Sequence, residues 1–465
     1  MPSRYALTEI MERVSGKTVE AYVDTVSDEP LVSSVPAGST IKSERTIESI
    51  GVTEWKLGNG ITVVMKPTDF KNDEILFTAY SPGGNSLVSD EDYIPAVTAT
   101  SIIEESGIGT FGLTELQKKL TGKIVSVSPF IGRLREGFSG SASPADVETM
   151  FQLIYLYATA PRQDSEAFQS FRTRIEGFIE NRSARPETAF YDTLSVTLSQ
   201  HHHRARPWTM ALLGEMDLDS SLRIYRERFA DTDDFTFFFV GAFDPEAIRP
   251  LVQTYLGGLP VNPATETWRD DGVEFPEGII KREVRRGIEP KSRVTIVYTG
   301  PFTWGRRERY ELDSMTDVLR IKLREVLRED SGGTYGVGVS QSVSHYPDEM
   351  YEISISFGTA PEKVDEMTQL VYEQIDSLKT VGVTEEYLVK VKETQRRERE
   401  INLKENSFWL GILDSYYFNG DDPAGILKYG ELVDGLTLDA IQQAAQAYFN
   451  ENNYVKVVLN PVTGN

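Results

Sequence analysis

Residue types able to activate water or attack a carbonyl are scarce in this chain. Cysteine is absent, and the only histidines are His201, His202, His203 and His345. The lack of thiols removes disulfides, thiolate zinc sites and cysteine nucleophiles together. Successive residues of an extended chain point to opposite faces, so three adjacent histidines do not converge on one metal. HHHRAR therefore reads as a basic surface loop, and His345, in SHYPDE, as a loop residue between strands with no catalytic role. Neither H-E-x-x-H nor the inverted H-x-x-E-H occurs, nor does a G-x-S-x-G elbow. The Gly-rich GGTYGVG at 332–338 lacks the Lys-Ser/Thr of a phosphate loop, and it lies between a helix and a strand in the reverse order of a dinucleotide fingerprint. One pair survives. Arg328 sits in the last turn of a helix ending LREVLRED, and Tyr335 opens the next strand across a Gly332-Gly333 turn. A guanidinium and a phenol brought to one end of a sheet can donate hydrogen bonds to a peptide carbonyl or a tetrahedral oxyanion. Composition by itself favours a plainer role for the pair, a helix-end cation and a strand-packing aromatic.

The elements that must position this pair belong to an ordinary globular composition. Of 465 residues, 40% are apolar and 26% charged, and mean hydropathy is −0.32. Lysine plus arginine number 48 against 71 acids, a net charge of −23. Such a surface repels phosphate backbones and anionic lipid, which argues against a nucleic-acid or membrane-surface protein. No apolar run is long enough to cross a membrane as a helix, and MPSRYALTEIMERVSGKTVE lacks the apolar core of a signal peptide.

Residues 1 to about 45 read as a tether with one short helix in TEIMERVSGKTVEAY. VTEWKLGNGITVVMKPT alternates on both sides of Gly58-Asn59-Gly60, a hairpin signal, and DEILFTAYSPGG adds a strand. Helical periodicity follows at 93–105. It recurs in ADVETMFQLIYLYATA, with Val147, Met150, Phe151, Ile154 and Tyr157 inward. It recurs again in SEAFQSFRTRIEGFIENRSA, with Phe168, Phe171, Ile175, Phe178 and Ile179 on one face. DFTFFFVGAFD is a strand and PEAIRPLVQTYLGGLP a helix. After a Pro-rich, charged connector at about 261–278 the same order resumes, and both halves end in a helix, a polar turn and a strand. The reading is an α+β chain of two homologous αββα-type domains, about 46–265 and 275–465. Each is expected to be a mainly antiparallel sheet with helices packed on one face.

The segment LREVLREDSGGTYGVGVSQSVSHYPDEMYEISISFGTAPEKVDEM resembles the C-terminal half of the pitrilysin/insulinase family of zinc peptidases, which carry an Arg and a Tyr seven residues apart across a helix, turn and strand. The likeness extends through KLGNGITVVMKPTDFKNDEILFTAYSPGGNS, YRERFADTDDFTFFFVGAFD and KENSFWLGIL, over nearly all of residues 45–460. It points to the long bacterial, PqqL-like branch. In that family a helix of the first domain bears H-x-x-E-H. Here the matching helix reads AVTATSIIEESG, and alignment on Gly107 puts Thr98, Ser101 and Ile102 at the motif positions.

The resemblance implies a substrate-binding half of a zinc metalloendopeptidase that cuts peptides in a closed chamber. Zinc and the Glu base would come from a partner N-terminal half, in the same polypeptide or a separate subunit, with no zinc in this chain and no activity from this half alone. Tyr335 would donate to the oxyanion and Arg328 to a substrate carbonyl, with Gly332 and Gly333 shaping the substrate-binding turn. The alternative is a non-catalytic structural subunit of a related assembly. Compartment stays open between cytoplasm and periplasm, with exported relatives pointing to the latter.

Overall fold

The computed structural model describes residues 4–15, 27–262, 266–330 and 334–462. The first half lays down β1 (Ile41–Ile47), β2 (Val52–Leu57), β3 (Thr62–Pro67), β4 (Ile75–Pro82), β5 (Val125–Ile131), β6 (Arg135–Ala142) and β7 (Thr236–Gly241). They form one sheet in the order β1-β2-β3-β7-β4-β6-β5. The second sheet holds β8 (Ile279–Arg285), β9 (Ser292–Pro301), β10 (Thr334–Ser344), β11 (Met350–Thr359) and β12 (Tyr454–Asn460), in the order β10-β11-β9-β12-β8. Within each sheet a single neighbour pair is parallel, β3–β7 in the first and β8–β12 in the second, and the rest are antiparallel. Read from its other edge, the second sheet repeats the last five strands of the first.

The principal helices repeat as well. The first half carries α1 (Tyr93–Ser106), α2 (Val147–Thr159), α3 (Ser165–Ser183), α4 (Pro186–Leu198) and α5 (Leu218–Arg228). The second carries α6 (Arg306–Arg324), α7 (Val364–Thr380), α8 (Glu385–Asn402), α9 (Asn406–Asn419) and α10 (Leu438–Tyr448). In both halves one helix separates the second and third strands of the repeat, and four helices precede the last strand. This is the α+β architecture expected from the order of elements.

Strand alternation decides the faces. Phe77, Phe237 and Phe239 turn to one side of the first sheet, where they pack with Phe151 and Ile154 of α2 and Tyr225 of α5. Val294, Ile296, Ile353 and Ile355 do the same in the second, against Met315 and Leu319 of α6 and Val371 of α7. The opposite faces are covered by exchange. Helix α9 lays Trp409 and Leu413 on Val64, Phe238 and Val240 of the first sheet. Helix α4 lays Phe190, Leu194 and Leu198 on Val455, Val457 and Leu459 of the second. Burying such side chains contributes about 1.5–3 kcal/mol each, so the exchange ties the halves together more firmly than the connector does.

The connector is itself held down. Glu266 pairs with Arg228 at 2.9 Å, Arg269 N–H donates to Ser86 Oγ at 3.0 Å, and the Arg133 Nε–H is shared between the two carboxylate oxygens of Asp271, each at 3.0 Å. The sequence reading assigned no element to β5, β6 or α4, and its other differences from the structure are local. The N-terminal helix is Arg4–Ser15, and the remainder of the segment expected to be helical, 16–22, lies outside the described residues. The sheet begins at Ile41, inside the segment read as a tether. Phe178 is 55% exposed because Ile179, next to it and about 100° round the helix, takes the inward position.

Candidate functional site

The helix that carries Arg328 changes pitch before it ends. Helix α6 runs on into a π-helical turn, Glu325–Asp330, and Arg328 lies in that turn. Such turns interrupt a helix at a cost and gather at functional sites. Gly332 and Gly333 lie outside the described residues, and the chain is described again from Thr334. Tyr335 is the second residue of β10, whose register against β11 shifts between Thr334 and Val337, so the irregularity falls on Tyr335 and Gly336. A bulge at a sheet edge re-aims the residues within it. Arg328 thus lies in the turn that leads to β10 and Tyr335 in the first residues of that strand; the side chains of both are outside what is described. Beside them opens a cleft of about 390 Å³ between the outer sheet face and α4, lined by Arg293, Gly336, Ser356, Gly358 and Glu187.

The helix matching the zinc-motif position is α1, and its residues do not fit a metal. Thr98 is buried and its hydroxyl donates to the Ile94 carbonyl at 2.8 Å. Ile102 is fully buried among Phe168, Phe171 and Leu213. Ser101, half-buried, has no imidazole or carboxylate beside it at the motif positions. Among the described residues no group of three His, Asp or Glu side chains is placed to hold an ion. The histidines follow the sequence reading: His201–His203 form a loop in which His203 Nε2 is 3.2 Å from the Asp90 carbonyl. His345 lies in the β10–β11 turn, stacked between Trp304 and Tyr346.

Two groups escaped sequence reasoning. Glu136 on β6 is 1% exposed, and burial pushes its pKa up to about 8 although the Gly84 N–H and Arg228 act against that shift. Nearby Asp234 is raised to about 6, again by burial, with the Ser81 hydroxyl bonded to it at 2.7 Å. The second is Glu352, on the outward face of β11. Its signal was present in MYEISISF, where one acid breaks a face otherwise made of Ser and Met.

Residues 219–395 match the family described as the peptidase M16 inactive domain. Over 459 residues the chain is 27% identical to a zinc protease PQQL-like protein of Arabidopsis thaliana, covering 93% of this chain and 46% of that one. It is 22% identical over 410 residues to the probable zinc protease PqqL of Haemophilus influenzae, covering 87% and 44%. The chain therefore spans about half the length of the relatives it matches. Among solved structures, the periplasmic protease PqqL from Escherichia coli superposes with a TM-score of 0.82 at 20% identity, over 99% of this chain and 51% of that one. The first half of that protease alone gives 0.70. The better fit to the whole than to its first half places the fold match in the second half. Over residues 219–395 the chain is thus similar to the peptidase M16 inactive domain, in keeping with the pitrilysin-type resemblance. More particularly, its fold is similar to that of the second half of the periplasmic protease PqqL. No helix among the described residues is long and apolar enough to cross a membrane.

Proposed function

We propose that this chain is the substrate-binding half of a PqqL-like zinc metalloendopeptidase, working opposite a zinc-bearing N-terminal half in the same polypeptide or in a separate subunit. Its two units run from about 46 to 265 and from 275 to 465, and its compartment is the periplasm, as named for the Escherichia coli relative. The observation that carries the reading is a division of labour within one fold. Helix α1 fills the motif positions with Thr98, Ser101 and the buried Ile102, while a π-turn holds Arg328 and a strand irregularity falls at Tyr335, which supports giving the substrate contacts to the second half. Zinc and the Glu base belong to the partner half.

In this reading Tyr335 donates its hydroxyl to the scissile carbonyl oxygen as negative charge develops there. Arg328 donates to a neighbouring substrate carbonyl and holds the peptide in register. Both donors reach the substrate only when the two halves close over it, which also excludes water.

Steady-state and single-turnover peptidase kinetics with the zinc-bearing half test this. Tyr335→Phe should slow the chemical step by about 10²–10³-fold with little change in KM, the loss seen for one oxyanion donor. Arg328→Ala should also raise KM, since its contact exists in the ground state. Unchanged kinetics for both variants would assign the chain to the alternative, a non-catalytic structural subunit.

A further inference from the structure

Helix α4 covers β12 and β8 but leaves the outer face of β10 and β11 bare. Between that face, α4 and the connector lies a cleft of about 1340 Å³. Its floor is a row across three strands, Thr299, Glu352 and Ser342, opposite one another in register. Glu277 of the connector and Asp348 and Glu349 of the β10–β11 turn stand at the walls. Arg133 is the one lysine or arginine among the lining residues, and it is committed to Asp271. Glu349 is also committed, accepting from the Trp304 N–H at 2.9 Å. Glu352 is different. It is half-buried, its carboxyl is pushed above the usual range by burial alone, and among the described residues it has no hydrogen bond or ion pair. A desolvated carboxylate without a partner is costly unless a cation comes to it.

We propose that this cleft binds an extended peptide through a Lys or Arg side chain, whose charged head meets Glu352 on the floor between Glu277 and Asp348. The carboxylates are too dispersed to share a metal ion, in line with the absence of any metal-holding group among the described residues. They suit a charge carried on a long flexible arm. The floor beyond Glu352 accepts main chain: Gly338, Ser340 and Ser342 of β10 face outward and are exposed, and they lead toward the Tyr335 end of the sheet. At about 3.3 Å per residue, a peptide of eight or nine residues covers that distance. Resting on the substrate-binding reading above, this makes the second half selective for peptides with a basic residue several positions from the bond to be cut.

Calorimetric titration of the whole chain without the zinc-bearing half separates this from the peptidase reading, because no cleavage is involved. The probes are a Gly/Ser peptide with a central Lys-Lys, the same peptide with Glu-Glu, and spermidine. The basic peptide should bind and the acidic one should not. Glu352→Gln should weaken the basic peptide about 10–100-fold, the loss of one charged hydrogen-bonding partner. Glu366→Gln, an exposed acid on α7, should leave it unchanged and so controls for the net charge of −23. The melting temperature of Glu352→Gln should hold or rise, because an unpaired desolvated charge has gone. Equal weakening by Glu366→Gln, spermidine binding as tight as the peptide, or a fall in melting temperature with Glu352→Gln would each overturn the proposal.

Discussion

At the same point of the repeat the first half buries a carboxylate and the second a phenol. Pro82 opposes Arg135 across β4 and β6 as Pro301 opposes Met350 across β9 and β11, so Glu136 and Tyr351 occupy equivalent positions. Helices α5 and α10 are the same length, and their last residues, Arg228 and Tyr448, are the respective neighbours. Glu136 lies in the field of Arg228, whereas Tyr351 donates its hydroxyl to the Tyr448 carbonyl at 2.9 Å. One architecture thus tolerates either a titrating or a neutral solution to the same packing problem. The first half, whose helix has no metal ligand at the zinc-motif positions Thr98, Ser101 and Ile102, holds the pH-sensitive one.

The exchanged helices differ in the same direction. Helix α9 brings Trp409, 4% exposed, and the fully buried Leu413 to the first sheet. Its Asn406 accepts from Thr68 Oγ1 at 2.6 Å and donates to Glu74 at 2.9 Å. Lys66 Nζ sits 3.9 Å from the Trp409 ring and donates to the Ile50 carbonyl, its pKa lowered by burial. Helix α4 offers the second sheet a single fully buried aromatic, Phe190. Trp409→Ala should therefore cost near the upper end of about 3–5 kcal/mol and Phe190→Ala near the lower end. Calorimetry of the Trp409 variant should resolve two unfolding transitions where the parent shows one. A single transition displaced by under about 1 kcal/mol would break the claim that exchange, not the connector, couples the halves.

The carboxylate makes a smaller, pH-dependent contribution. Glu136 is raised to about 8 and Asp234 to about 6, so the folded chain holds protons that the unfolded chain has already lost. Stability from this source is full below the ordinary carboxylate range and is lost as pH rises through those values. From about pH 6 the slope for one such group is about 1.4 kcal/mol per unit, halving by pH 8, or about 2 kcal/mol across the window. Denaturant unfolding across that window should show the decline, and Glu136→Gln should flatten most of it. An equally steep decline in the variant would place the titrating group elsewhere.

Most of this frame was legible because it is local. Alternation in MYEISISFGTA puts Tyr351, Ile353, Ile355 and Phe357 on one face, and all four are buried there. The matching helix–turn–strand endings announced the repeat. The helix exchange was not legible: Phe190, Leu194 and Leu198 at i, i+4 and i+8 specify a buried stripe but not the sheet that buries it. Periodicity likewise could not choose between Phe178 and Ile179. The chemistry was least legible. Arg328 and Tyr335 could be singled out locally as a pair of donors, but only the family resemblance raised them above a helix-end cation and a strand aromatic. Glu136 fell in a stretch to which the sequence reading gave no element, and the charges that act on it, Arg228 and Glu266, come from far along the chain.

The smallest effect sharpens the comparison from the neutral side. Tyr351→Phe removes one hydroxyl and keeps the ring packed. What is lost is the hydrogen bond to the Tyr448 carbonyl, one of the last carbonyls of α10 and so without an intrahelical partner. A neutral hydrogen bond of this kind contributes about 0.5–1.5 kcal/mol net. Burial holds the Tyr351 phenol up at about 12, so it stays protonated through the window in which Glu136 titrates. The deficit of Tyr351→Phe should therefore be the same at pH 6 and pH 8, against the sloping difference expected for Glu136→Gln. Parallel denaturation curves of the two variants over that range measure both. A Tyr351→Phe deficit that grew with pH would mean that the phenol shares in the titration, and the division into a titrating and a neutral half would fail.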